Sequence, residues 1–272
     1  MSIRDILVIV TESKQAGPLY AAELLGAQWK AHIAALYASR MPDPVEGGLY
    51  FSGSIWAQAV NDIRKAAAAD RQKLASRLAA LEPPVELRHE EVVLGLAEDV
   101  ASRHAMHADL TLLEQPRDEF NSGLFEGALF RSGRPVLLVS PNWKGGAIGK
   151  KILVAWKPKR EAARAVADAA PFFADAEQVT VATVDAEPNG HGAAPGQDIA
   201  AHLARHAPRV ELRNLDGLGQ TAETALLSEA ANINADLIVM GGYGHSRLRQ
   251  FVFGGATRSL SREAPIPVFM SH

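Results

Sequence analysis

Three glycines near the end of the chain have the spacing of a loop that can hold phosphate. Gly241, Gly244 and Gly254 form the pattern G-x2-G-x9-G within the segment MGGYGHSRLRQFVFGGATRS. An apolar strand is predicted before this pattern, and the first turns of a helix are predicted after it. Glycine lets the backbone approach a ligand closely and adopt positive φ, and the free N–H groups of a helix start favour an anion. The pattern therefore predicts a phosphate-binding loop.

The residues among these glycines also suit an anion. His245, Ser246, Arg247 and Arg249 are polar or basic, and the forked donors of arginine match phosphate oxygens. A solvated loop would have the same composition. Glycines can also serve only to let a helix pack closely against a sheet, so a purely structural loop is the competing interpretation.

An internal repeat sets the domain organisation. Three strand-like blocks recur in the same order: ILVIV from Ile6 as ILVAW from Ile152, ADLTLLE from Ala108 as ADLIVMG from Ala235, and RPVLLVS from Arg134 as IPVFMSH from Ile266. The stretch NWKGGAIG, residues 142–149, is a glycine-rich linker between the copies. We therefore expect two domains, residues 1–142 and residues 150–272.

Each copy alternates apolar strands with helical patterns, which predicts an α/β fold with parallel sheets. In the first copy, a long helix is predicted over 61–81, with Ile63, Ala67, Leu74, Leu78 and Leu81 on one face, and a loop over 40–54. The elements predicted in the second copy are strands at 151–156, 178–184, 210–215, 235–240 and 267–270, and helices at 160–173, 196–205, 221–232 and 255–262.

The fold class places the glycine pattern at a binding edge. In a doubly wound sheet, ligands bind at the carboxyl ends of strands where the strand order reverses. In the five-stranded version this point lies between the first and fourth strands. In the second copy it joins Ala155, Trp156 and Lys157 to Met240 and Gly241, so the glycine pattern and the topology predict the same site.

Composition excludes several classes of partner. The formal net charge of −3 gives no reason to expect nucleic acid or a membrane surface. The chain has no cysteine, which excludes disulfides and thiolate metal sites. No apolar run approaches the ~18 residues needed to span a bilayer, and the first residues do not have the pattern of a signal peptide. A cytoplasmic protein is expected.

These motifs resemble the universal stress protein family in its tandem-domain form, over nearly the whole chain. The resemblance implies two tandem doubly wound domains, each with a five-stranded parallel sheet of the adenine nucleotide alpha hydrolase type. It also implies ATP or a related adenine nucleotide as ligand, with Mg²⁺ only when nucleotide is bound. The binding residues that it implies in the second copy are Ala155, Trp156, Lys157, Val184, Met240, Gly241, Gly242, Gly244, His245, Gly254, Gly255, Ala256 and Thr257.

Two positions depart from the family pattern in the second copy. Gly255 stands where the family has Ser or Thr, and Thr257 lies two residues further on. Lys157 stands where nucleotide-binding members usually have Asp, and lysine offers only donors. Lys157 could face a phosphate. Because the resemblance places it on the nucleoside side of the site, we expect instead that it blocks the nucleoside pocket or pairs with Asp185.

The first copy departs further. It is five residues shorter than the second between the ADL block and the following proline, it has Glu114 in place of Gly241, and its first strand is followed by Thr11 and Glu12. A carboxylate at the place of Gly241 would repel phosphate. We expect this copy to bind no nucleotide.

Other chemistry has weaker support. His202 and His206 have metal-ligand spacing on a predicted helix, but no third ligand is evident. GGAIGKK, residues 145–151, fails the P-loop pattern because it precedes a strand. No catalytic residues are assigned, so at most slow ATP hydrolysis is expected. The two function classes are a nucleotide-binding sensor or regulator and a nucleotide-free scaffold acting through protein or other small-ligand contacts.

The last strand of each copy, 136–139 and 268–270, is apolar, and an exposed apolar edge favours aggregation. We therefore expect the copies to pair these edges as an intramolecular pseudo-dimer. A homodimer of two such chains is a further expectation.

Overall fold

The computed structural model describes residues 2–44, 53–82, 84–186, 194–242 and 260–272. The elements of the first half are β1 (Asp5–Val10), α1 (Gly17–Trp29), β2 (His32–Met41), α2 (Gly53–Leu78), β3 (Val85–Val93), a 3₁₀ turn (Leu94–Leu96), α3 (Ala97–Ala105), β4 (Leu110–Glu114), α4 (Glu119–Glu126), a π-helical turn (Gly127–Arg131) and β5 (Val136–Val139). Those of the second half are β6 (Lys151–Ala155), α5 (Arg160–Asp168), α6 (Ala170–Phe173), β7 (Gln178–Val184), α7 (Gln197–Leu203), β8 (Val210–Leu215), α8 (Ala222–Asn232), β9 (Leu237–Gly241) and β10 (Val268–Ser271).

Several predicted elements need correction. The long helix predicted over 61–81 spans Gly53–Leu78, and the helix predicted over 196–205 ends at Leu203. The helix predicted over 160–173 is interrupted at Ala169, because Pro171 begins a new short helix and cannot continue the old one. The loop predicted over 40–54 is shorter at both ends, since β2 extends to Met41 and α2 begins at Gly53. Residues 45–52 lie outside the described residues. The predicted apolar face of the long helix is confirmed at Leu74 and Leu78, which are buried.

All ten strands form one sheet, in the order β3-β2-β1-β4-β5-β10-β9-β6-β7-β8. Each half has the same internal order, and its strands are parallel. The halves join where β5 and β10 pair antiparallel, with Leu137 opposite Phe269. The last strand of each half therefore covers the edge of the other. The predicted doubly wound α/β fold is confirmed.

The aspartate of the recurring ADL block has the same structural role in both halves. The Asp109 carboxylate accepts the backbone N–H groups of Arg4 and Asp5 at 2.8 and 3.1 Å. The Asp236 carboxylate accepts those of Gly149 and Lys151 at 2.7 and 3.1 Å. Each aspartate thus ties the start of the fourth strand of its half to the start of the first strand, where N–H groups would otherwise lack partners.

Alternation along the strands divides the interior into two cores, one on each face of the sheet. In β1, Ile6 and Val8 face one core and Leu7 faces the other. The first core includes aromatic contacts at the junction of the halves. The Trp29 and Phe172 rings meet edge to face at 4.9 Å, and Phe172 meets Phe269 at 5.7 Å.

The two outermost strands share a motif. β3 begins Val-Glu-Leu-Arg from Val85, and β8 begins with the same four residues from Val210. In each strand the arginine pairs with the glutamate two residues before it, at 2.9 Å in β3 and 3.0 Å in β8. Ion-paired side chains therefore lie along both outer edges of the sheet.

No helix among the described residues combines the length and the apolar character that crossing a membrane requires.

Candidate functional site

The carboxyl ends of β6 and β9 lie side by side in the second half. Ala155 pairs with Met240 in the parallel register, and the Trp156 N–H donates to the Ala182 carbonyl of β7 at 2.8 Å. Val184 ends β7 at the same edge. The fold thus brings together Ala155, Trp156, Met240, Gly241 and Val184 at the point where the strand order reverses, which is the expected location of a ligand site.

Gly241 is in close contact with the start of α5. A Cβ atom at this position would lie 2.6 Å from the Ala162 nitrogen and 2.6 Å from the Glu161 carbonyl carbon. Backbone atoms cannot move away cheaply, so this position requires glycine for packing alone. The structural interpretation of the glycine pattern therefore holds for Gly241, whatever ligand binds nearby.

Gly242 contacts the other half of the molecule. A Cβ atom here would lie 2.8 Å from a methyl carbon of Leu129, in the π-helical turn of the first half. The Gly242 N–H donates to the Ser271 carbonyl at 2.7 Å. Its carbonyl accepts from Nδ1 of His272 at 2.8 Å. The exit from β9 is thus held by β10 and by the first half together.

Basic residues lie between β6 and the first residue of α5. Lys157, Lys159 and Arg160 are exposed and follow one another closely in sequence. Lys159 is the N-cap residue of α5 and makes no side-chain capping hydrogen bond. Arg160 lies 3.5 Å from the Glu161 carboxylate. A helix start beside these cations forms a positive surface next to Gly241, where an anion would be stabilised.

Asp185 does not pair with Lys157, which removes one of the three roles considered for this lysine. No ion pair joins the two residues, both of which the structure describes. Asp185 instead accepts the Gly217 N–H at 2.8 Å and has a positive φ of 46°. Its carboxylate fills the space beside Gly217, where a Cβ atom would lie 2.4 Å from Oδ2.

The remaining predicted binding residues lie outside the described residues: Gly244, His245, Gly254, Gly255, Ala256 and Thr257.

The equivalent edge of the first half is occupied by contacts within the protein. The Thr11 N–H donates to Oε1 of Gln15 at 2.7 Å, and the Thr11 hydroxyl hydrogen-bonds to Asn121 at 3.3 Å. The Ser13 N–H donates to the Asp70 carboxylate at 2.7 Å. The loop after β1 thus directs these donors to protein groups.

Glu114 occupies the position equivalent to Gly241. It follows Leu113, which pairs with Ile9 of β1, as Gly241 follows Met240. Burial raises the pKa of the Glu114 carboxyl above its ordinary value, although a hydrogen bond from Gln15 and the charge of Arg117 act in the opposite direction. A partly buried acid therefore stands at the place of the first glycine.

Glu114→Gln is expected to stabilise the protein at neutral pH but not in acid. Because the pKa is raised in the folded state, the wild type has its full stability below the ordinary glutamate pKa. It loses stability as pH rises through the folded pKa. Urea unfolding at several pH values should show that the free energy of unfolding of the variant, relative to that of the wild type, increases as pH rises. The same substitution at exposed Glu82 is the control, and a constant difference at all pH values would contradict the prediction.

His202 lies in α7, and His206 follows the end of that helix at Leu203. The rings of His202 and His206 lie 4.9 Å apart. Within the described ranges, no group of three or more His, Cys, Asp or Glu residues could hold a metal ion.

Five residues at or beside the carboxyl edge of the second half are not among the binding residues predicted from the sequence. Lys159 and Arg160 carried a usable signal, because the basic run KPKR follows the first strand of the second half directly. Leu129, Phe130 and His272 carried none, since their role depends on how the two halves are packed.

Comparison with known proteins gives a family for the second half and a fold for the whole chain. Residues 149–272 match the universal stress protein family. No curated protein matched the sequence.

A universal stress protein from Archaeoglobus fulgidus has a similar structure, with a TM-score of 0.68, 18% identity, and coverage of 98% of this chain and 97% of that one. A putative universal stress protein from Pseudomonas aeruginosa gives a TM-score of 0.54 and 16% identity, covering 99% and 93% of the two chains. At these identities the structures establish the fold. Residues 149–272 therefore belong to the universal stress protein family, and the whole chain has the fold of solved universal stress proteins.

Proposed function

We propose that this protein binds ATP or a related adenine nucleotide once per chain, in its second half, and acts as a sensor or regulator of the stress response in the cytoplasm. The observation that carries the proposal is the adjacency of β6 and β9. It places the cations of Lys157, Lys159 and Arg160 at the same edge as the start of the glycine pattern. Their positive charge suits a polyphosphate, and Mg²⁺ would accompany the phosphates only with nucleotide bound.

We assign Lys157 to a phosphate, in place of the blocking role expected from the sequence. Its side chain is exposed, and Asp185, the acid considered as its partner, is directed to Gly217. An ammonium group there donates to phosphate oxygens but cannot replace the acceptor that the family's aspartate offers to the nucleoside. Binding is then supported by the phosphates more than by the nucleoside, and we expect ATP to bind more tightly than adenosine.

Lys157→Ala is expected to weaken ATP binding by about tenfold or more, because a hydrogen bond to a charged group contributes about 1.5–3 kcal/mol. Isothermal titration measures this, and the fluorescence of neighbouring Trp156 gives a second readout, with Trp156→Phe as its control. Lys144→Ala, at an exposed linker lysine, should leave the affinity unchanged. Tighter ATP binding by Lys157→Asp would contradict the assignment, since it would mean that the lysine blocks the nucleoside pocket.

A nucleotide-free scaffold is the second candidate function. The close packing of Gly241 against Glu161 and Ala162 supports it, because that glycine is explained without a ligand. Native mass spectrometry of the purified protein separates the two functions. Co-purified nucleotide in a one-to-one complex supports the first function. No nucleotide, together with no heat of ATP binding at millimolar concentration, supports the second.

A further inference from the structure

One segment of the first half, residues 127–133, lies against the candidate site of the second half. We call it the cross-half segment. Leu129 is buried and contacts Gly242. The Phe130 ring meets the His272 ring edge to face at 5.0 Å and 84°. The Gly133 carbonyl accepts from the Arg164 guanidinium of α5 at 3.3 Å. These contacts reach the end of β9 and the middle of α5, the two elements that border the site.

The cross-half segment packs against the residue that holds Gly242 in position. The Gly242 carbonyl accepts a hydrogen bond from His272, so Nδ1 of that ring carries the proton. Phe130 packs edge to face against the same His272 ring and holds it in this position. These contacts therefore fix the end of β9 at Gly242, the last residue that the structure describes before position 260.

The same segment supports α5. Arg164 lies in this helix, one turn after the Glu161–Ala162 backbone that packs on Gly241. It is held by Asp168 at 2.7 Å as well as by Gly133. The segment is itself fixed by the first half, because a Cβ atom at Gly127 would lie 2.2 Å from the Glu98 carbonyl oxygen. At Gly127 the segment is therefore anchored by packing within the first half.

We infer that the first half forms a wall of the second half's nucleotide site, with Leu129, Phe130 and His272 as positioning residues. The inference rests on the proposed function for its ligand, a nucleotide with phosphates at the end of β9. The first half then has a role in binding although its own edge is occupied by protein contacts. Full affinity in the second half requires the cross-half segment in place.

The experiment uses the full chain with Phe130→Ala and His272→Ala. Gln115→Ala is the matched control, because Gln115 makes the corresponding contact at the opposite edge, donating to the Ala264 carbonyl at 2.7 Å. ATP affinity is measured by titration, and hydrogen exchange is measured at the Gly242 amide. Both test variants should bind ATP at least fivefold more weakly and exchange the Gly242 amide faster, while the control should match the wild type. His272→Phe separates the two contacts, because it keeps the ring but removes the hydrogen bond.

The outcomes separate this inference from the proposed function. Unchanged affinity and unchanged Gly242 exchange in both variants would overturn the inference while leaving nucleotide binding established. Equal losses in Gln115→Ala would also overturn it, because the effect would then be a general loss of stability. If the wild type binds no ATP, the proposed function fails. The wall of a nucleotide site then fails with it, and faster exchange in Phe130→Ala would show only that this side chain positions Gly242.

Discussion

Phe172→Ala is expected to lower the free energy of unfolding by about 3–5 kcal/mol, the usual range for removing a buried phenylalanine. Phe172 is 1% exposed and lies at the junction of the two halves. Its ring contacts Trp29 of α1 and Phe269 of β10. A cavity at this place removes contacts from both halves, so the loss should be shared by the whole molecule.

Urea unfolding followed by both circular dichroism and tryptophan fluorescence tests this. The two probes should report one coincident transition that moves to lower urea in the variant. Phe172→Leu is the control, and it should lose less because it fills part of the cavity. A double-mutant cycle with Trp29→Ala should give a coupling of about 0.5–1.5 kcal/mol. Zero coupling, or two separate transitions, would show that the junction does not tie the halves together.

Gly241→Val is expected to cost about 3 kcal/mol of stability without any ligand present, at the upper end of the ~1–3 kcal/mol usual for overpacking. The new Cβ would overlap the backbone of Glu161 and Ala162, and the two methyl groups add further atoms to the same space. Relief of the overlap would move α5 away from β9. The variant should therefore also lose ATP affinity.

Thermal and urea unfolding of nucleotide-free protein measure the stability change. Gly95→Val is the matched control, because nothing lies within 4 Å of a Cβ atom at that glycine. A change within about 0.5 kcal/mol is expected there. If Gly241→Val is as stable as the wild type yet fails to bind ATP, the glycine serves the ligand and not the packing.

Much of the fold followed from the sequence because its strands are continuous apolar runs. The predicted strand 178–184 matches β7 in both bounds, and five of its seven residues are buried. The predicted strand 210–215 also matches β8, although this edge strand carries charged residues and has no buried residue. A run buried on both faces carries its own signal, whatever surrounds it. The break between α5 and α6 at Ala169 was less predictable. The alanine-rich sequence favours helix on both sides of it, and the presence of Pro171 does not by itself tell where the first helix ends.

The candidate site was only partly predictable. The adjacency of Ala155 and Met240 follows from topology, and the structure confirms it. The reason for glycine at 241 did not follow, because its neighbour Ala162 belongs to a helix whose approach depends on packing. The contact of Gly242 with Leu129 could not be predicted, since the two residues lie in different halves and no local sequence pattern connects them.

The two outer strands have a consequence for assembly. Adding a strand from a second molecule to β3 or β8 would take the paired charges of Glu86 and Arg88, or of Glu211 and Arg213, out of water, and removing ion pairs from water is costly. The two apolar edge strands, β5 and β10, already pair with each other within the chain. The two halves of one chain therefore form the strand pairing that would otherwise need a second subunit. Adding a further strand at either outer edge of the sheet would be unfavourable. A homodimer of this protein should use helix faces, and its formation should leave the backbone hydrogen bonds of the sheet unchanged.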